Sequence, residues 1–233
     1  MTHHMRVMSA FDRLRAAVIG RGPWVRILGP GAVFSGVALL VNILWNISLP
    51  LALATSAVLL GLSSAAVWRR ATPDERQWLL RRVALGIGAG LIATLSYDST
   101  KAILSLLDPS PYNPFDLIRI FGRLLLGPDT ADPLASVAGG AFHLLNGTSF
   151  AVAFTLLARR RYVLLGVLWG LFLEAFQLTL YPGWLNIKFY TEFVQISSLS
   201  HVVYGLVLGS LVRYAESRFG PGNRPASTRR GAT

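Results

Sequence analysis

Six apolar stretches of this chain carry a few side chains that can do chemistry, and their positions are the most informative feature of the sequence. Asp98 and Lys101 lie in the third stretch. His143, with Asn146 one turn on, lies in the fourth. Glu174, Gln177 and Tyr181 share a helical face in the fifth, and Ser197, His201 and Tyr204 share one in the sixth. An ionisable group inside a membrane span costs several kcal/mol, so each is a functional candidate by default.

Depth sharpens the argument. Asp98 lies about eight residues before the outer end of its span and His143 about nine after the start of the next. Glu174 lies about seven before its outer end and His201 about eight after its start. At 1.5 Å per residue, all four fall roughly 10–14 Å below the same surface. The expectation is one site, built from four helices, in the outer half of the bilayer.

Two histidines with one or two carboxylates are the ligand set of a zinc or non-haem iron centre. A divalent metal on His143, Glu174 and His201 is therefore one expectation. Without a metal, Asp98, His143, Glu174 and His201 supply general acids and bases. Lys101, Asn146, Gln177 and Tyr204 would bind substrate beside them. Arg119 and Arg123, one helical turn apart in an outer loop, would hold a phosphate or carboxylate head group at the mouth. Each residue also has a plainer reading. Asp98 and Lys101 at i, i+3 can form an intrahelical ion pair. The histidines can be hydrogen-bonded glue between helices. Arg119 and Arg123 can simply face lipid head groups.

The elements that position these residues follow from hydropathy. The chain has 233 residues, 53% of them hydrophobic and 14% charged, against about 25% charged in a soluble domain. Mean hydropathy is +0.50. Segments of about the length needed to cross a bilayer run from Gly29 to Ser48, Leu51 to Trp68, Val83 to Leu106, Leu134 to Ala158, Tyr162 to Tyr181 and Phe193 to Val212. The fold class is thus an all-α polytopic membrane bundle of six transmembrane helices. Only Leu49 and Pro50 separate the first two spans, and Pro182-Gly183 is expected to stop the fifth. In the outer loop 108–133, Phe115 to Leu126 is too short to span and reads as an interfacial or re-entrant helix.

The domain division is a basic cytoplasmic tail over 1–28, partly amphipathic from Asp12 to Arg26, a six-helix domain over 29–213, and a disordered cytoplasmic tail over 214–233. No cleavable signal peptide is expected, because mixed residues precede Gly29 and no small-x-small cleavage site follows. The net charge is +11. It gathers in the tails and in the loops holding Arg69 to Arg82 and Arg159 to Arg161, so it marks orientation and not nucleic-acid binding. The protein is expected in the plasma membrane, with both termini in the cytoplasm. There is no cysteine, which excludes disulfides, thiolate metal sites and iron–sulfur clusters.

Small residues follow the polar faces: Gly170 and Gly166 lie one and two turns before Glu174, Gly205 and Gly209 follow His201, and Gly139 and Gly147 flank His143. Asn42 and Asn46 of the first span are expected to look inward as well. The leading functional expectation is a membrane-embedded enzyme acting on a lipophilic small molecule, isoprenoid, acyl or quinone-like, with the lipid bilayer as its surroundings. The alternatives are a small proton-coupled transporter, a bis-histidine haem protein using His143 and His201, and a purely structural membrane protein.

Overall fold

A helix in lipid must satisfy its own backbone, so apolar runs of this length have only helical solutions within a single chain segment. The computed structural model describes residues 24–158, 162–185 and 187–219, and among them every regular element is a helix. In chain order the helices are α1 (Val25–Gly31), α2 (Phe34–Trp45), α3 (Leu49–Arg70), α4 (Pro73–Leu107), α5 (Asp116–Leu126), α6 (Asp132–Leu157), α7 (Tyr162–Leu185) and α8 (Tyr190–Phe219). Five of these, α3, α4, α6, α7 and α8, are long and apolar enough to cross a membrane, and α1 with α2 makes a sixth if the bent pair is one span. The protein is an integral multi-pass membrane helix bundle.

The first span differs from a single rod. It begins at Val25, and α1 and α2 meet at 55°. Pro30 lies inside α1 between two glycines and removes a backbone donor where the bend occurs. The turn to α3 is also displaced. Leu49 and Pro50 open α3, where the fixed φ of proline suits a first turn. The chain reverses instead at Asn46, which sits at φ 53°, while the Asn42 amide donates to the Ile47 carbonyl at 2.8 Å. Asn42 and Asn46 thus build a turn on the exposed side and do not look inward.

Three further boundaries move for tertiary reasons. The basic stretch before the third span is helical, because Thr72 and Glu75 form a capping box that starts α4 early. At 35 residues, α4 is about 52 Å long, well beyond an apolar core of about 30 Å. Pro182 does not stop α7, which continues to Leu185. There Tyr181, Trp184 and Leu185 join a core with Phe121, Phe142 and Phe193, and that packing outweighs the lost hydrogen bond. Finally, α8 runs past Val212 to Phe219, so residues 214–219 are helical rather than disordered. The expected amphipathic segment Asp12 to Arg26 lies almost wholly outside the described residues, as do residues 1–23 and 220–233.

The centre of the bundle is α4, which packs along both α6 and α8, while α7 packs on α8 and α3 on α2. Gly166 and Gly205 make the α7–α8 approach possible. A Cβ at either would overlap the other's carbonyl group, and Gly209 packs on Tyr162 and Val163 in the same way. Gly86 and Gly90 serve α4 against Val152, Thr148 and Ala151 of α6. The short helix α5 lies on the start of α6, where Gly122 meets the Ala135 backbone and Gly139 meets that of Ile118. Gly127 ends α5 at φ 113°, a conformation costly for any residue with a Cβ.

These contacts predict that Gly205→Val separates α7 from α8 and destabilises the protein by at least 1–3 kcal/mol, roughly the cost of overpacking. A thermal melt in detergent checks this, with Gly88→Val, at a site with open space, leaving the midpoint nearly unchanged.

Candidate functional site

The four ionisable residues that share a depth in the sequence are brought together as two pairs. On α4 and α6, His143 Nε2 lies 2.9 Å from Asp98 Oδ1. On α7 and α8, His201 Nδ1 lies 2.7 Å from Glu174 Oε2. Each pair joins two helices that are neighbours in the bundle.

The Glu174 pair is the more buried and the more elaborated. Ser197 Oγ donates to Glu174 Oε2 at 2.7 Å and Ser198 Oγ donates to Oε1 at 3.0 Å. Gln177 Nε2 donates to Ser197 Oγ at 2.8 Å, which completes a chain between α7 and α8. His201 Nδ1 also lies 3.1 Å from the Ser197 carbonyl. Both close partners of Nδ1, a carboxylate and a carbonyl, are acceptors, so the ring proton belongs on Nδ1. The neutral imidazole then has its lone pair on Nε2, the atom that can accept a proton from a substrate.

Tyr97 connects the two pairs. Its ring centroid lies 5.8 Å from that of His143 and 4.8 Å from that of His201, the second contact edge-on. The Lys101 ammonium rests 4.4 Å from the same ring centroid. Lys101 does not pair with Asp98, because His143 takes that carboxylate. The i, i+3 ion pair that the spacing allows is therefore not formed, and Lys101 is 5% exposed without a salt bridge or hydrogen bond among the described residues.

These side chains line one cavity that holds about 880 Å³ of space free of protein atoms, its open mouth included. Asp98, Lys101, His143, Asn146, Gln177, His201 and Tyr204 all reach it. Opposite them are apolar residues: Leu117, Ile118 and Phe121 of α5, and Leu39 of α2. The cavity thus has a polar wall and an apolar one, and α5 is its lid. Asn146 Oδ1 is buried there without a hydrogen-bond partner. Tyr204 is differently employed, its hydroxyl donating to the Gly147 carbonyl at 2.7 Å and tying α8 to α6.

Other expectations fare differently. Arg119 and Arg123 do not enter the cavity. Arg119 pairs with Asp116, and with Asp132 at 3.7 Å, while Arg123 pairs with Asp132, all on the exposed face of the lid. Sequence spacing suggested a head-group clamp, but nearby carboxylates engage both guanidinium groups. Nor do His143, Glu174 and His201 converge: among the described residues, no three His, Asp or Glu side chains gather as a cation-binding group. Each imidazole holds its own carboxylate, and Tyr97 packs against both rings, which is the arrangement of two hydrogen-bonded pairs and not of shared metal or haem ligands.

Sequence reasoning missed Tyr97, Ser198 and a second polar cluster. Tyr97 was detectable, since it adjoins Asp98 and precedes Lys101 by one turn. The second cluster lies towards the other end of the bundle, where Arg82 of α4 meets Glu216 of α8 at 3.3 Å and stacks near Trp78 and Tyr162. Thr155 of α6 donates to the Arg82 carbonyl at 2.9 Å. Arg82 had been read as a loop charge, and only the early start of α4 takes it into the bundle. In the loop before the lid, burial raises the Tyr112 phenol above its ordinary range, helped by the Asp116 carboxylate, so this side chain stays neutral where it packs.

The chain defines a multi-pass membrane bundle with a lidded, half-polar cavity. Compared with known protein families, with curated proteins and with solved structures, it matches none of them.

Removing one member of a buried pair leaves its partner's charge and hydrogen bonds uncompensated. Glu174→Ala is therefore expected to destabilise the protein by about 3–5 kcal/mol. Arg123→Ala, on the half-exposed lid face, should cost at most about 1 kcal/mol. Thermal melts of the two variants in the same detergent check the order.

Proposed function

We propose that the protein is a membrane-embedded enzyme acting on a lipophilic substrate, of isoprenoid, acyl or quinone-like type, by general acid–base chemistry. The observation that carries this reading is one half-apolar cavity lined by Asp98, His143 and His201, with Glu174 paired behind His201. In the His201–Glu174 pair, the carboxylate and Ser197 orient the ring and leave Nε2 as a base. The His143–Asp98 pair offers a second proton acceptor or donor across the Tyr97 ring. Two such groups at one cavity allow a proton to leave one position of a substrate while another is delivered elsewhere, which suits isomerisation, dehydration or double-bond migration. Acid–base chemistry is preferred to metal-assisted chemistry because the ligands pair instead of converging.

The positive-inside distribution supports a plasma-membrane protein with both termini in the cytoplasm and the lid facing outward. The absence of cysteine in the sequence makes this directly testable. Thr130→Cys should react with an impermeant maleimide in intact cells, and Asp74→Cys only after permeabilisation. The reverse pattern inverts the orientation.

The function is tested with purified protein in lipid nanodiscs, supplied with pooled prenyl alcohols, fatty acyl lipids and quinones, with products read by mass spectrometry. Conversion is expected with the parent protein, and a loss of about 10²-fold or more with His201→Ala, the usual size of a general-base contribution. Conversion that survives His201→Ala and His143→Ala together overturns the assignment. A second reading is a proton-coupled carrier, favoured by the pairing of buried Arg82 with half-buried Glu216 on the far side of the bundle. Its sign in the same preparation, reconstituted in vesicles, is internal pH change upon substrate addition without any product.

A further inference from the structure

A buried ammonium without a counter-ion is costly unless something else stabilises it. Lys101 is such a group. It is 5% exposed, lines the cavity, and makes neither a salt bridge nor a hydrogen bond among the described residues. Its contact is the face of the Tyr97 ring, at 4.4 Å from the centroid, which positions the charge without neutralising it. The nearest carboxylate on its own helix, Asp98, is held by His143, and Glu174 is held by His201, Ser197 and Ser198. Asn146, which is 9% exposed and lines the same cavity, has a buried Oδ1 without a partner. A cation that lines a cavity without a carboxylate of its own, beside an amide that can donate, indicates an anionic ligand that completes the site.

We propose that the cavity binds an amphiphile by an oxyanion head group, carboxylate or phosphate, seated on Lys101 and Asn146. The anion accepts from the Lys101 ammonium and from the Asn146 side-chain amide, whose Nδ2 donates. The alkyl or prenyl chain lies along the opposite wall, against Leu117, Ile118 and Phe121 of the lid and Leu39 of α2. The Arg119 and Arg123 guanidinium groups take no part, because Asp116 and Asp132 hold them outside the cavity. This inference deepens the proposed enzyme function and rests on it for the fate of the ligand, but binding itself is separable from turnover.

The test compares three ligands of equal chain length, palmitate, hexadecyl phosphate and hexadecanol, by calorimetric titration of the detergent-purified full chain. One or both anions should bind about tenfold or more tighter than the alcohol, the size of one charge-assisted hydrogen bond. Which anion does so separates a carboxylate from a phosphate source. Lys101→Met should remove the preference and Lys101→Arg should keep part of it. A second readout needs no variant. The chain has two lysines, Lys101 and the exposed Lys188, and reductive methylation followed by peptide mass spectrometry reports each. The preferred anion should protect Lys101 about tenfold relative to hexadecanol, with Lys188 unaffected. Equal binding of all three ligands, a preference that persists in Lys101→Met, or equal modification of Lys101 with and without the anion overturns the proposal. Anion binding without conversion of any substrate retains it while removing the enzymatic reading.

Discussion

The structure depends on one constraint: inside an apolar bundle, an ionisable side chain must find its partner on another helix. Asp98 finds His143 across the α4–α6 contact, and Glu174 finds His201 across the α7–α8 contact. Neither pair can form unless its two helices are in register along the membrane normal and close enough for side chains to meet. The glycines at Gly166, Gly205 and Gly90 provide that closeness, since a Cβ at any of them would collide with the neighbouring helix. Packing and polar pairing therefore specify the same arrangement. Helices that slipped by a turn would lose both their close contacts and their charge partners.

The cavity follows from the same arrangement together with the short helix α5. That helix cannot cross a membrane, yet its apolar face has to be buried. It is buried on the start of α6, at two places where backbone meets backbone, and Phe121 reaches down to Phe142 and Tyr181. The lid thereby becomes the apolar wall of a space whose other wall is polar. Its outward face carries Arg119 and Arg123, both tied to aspartates. Lys101 remains the exception within, a cation that the protein places against an aromatic face and gives no carboxylate.

Polarity is unevenly shared between the two ends of the bundle. On the lid side, Asp98, His143, His201, a lysine, an asparagine and a glutamine surround open space, with Glu174 paired behind His201. On the other side, Arg82 pairs with Glu216 and is packed against Trp78, Tyr162 and Thr155. The first arrangement is suited to receiving a molecule. The second joins α4 to α8 and is occupied by its own side chains.

Much of this was legible in the sequence by itself. Hydropathy sufficed for the helical class and for the number of candidate spans, because lipid leaves backbone polar groups few other solutions. The shared depth of Asp98, His143, Glu174 and His201 was legible too, since helix rise is constant. Which residues pair was not. Spacing favoured Asp98 with Lys101 and a converging His143, Glu174 and His201, whereas the folded chain pairs each histidine with one carboxylate and leaves Lys101 alone. Partner choice depends on how helices rotate about their axes, and a one-dimensional pattern does not encode that rotation. The ends of α4 and α7 were misread for a related reason: a capping box at Thr72 and packing around Tyr181 and Trp184 outweigh local composition. Sequence alone thus determined a membrane bundle with polar groups at one level. Tertiary structure decided that they face a single lidded cavity, in pairs, because only packing fixes which faces meet.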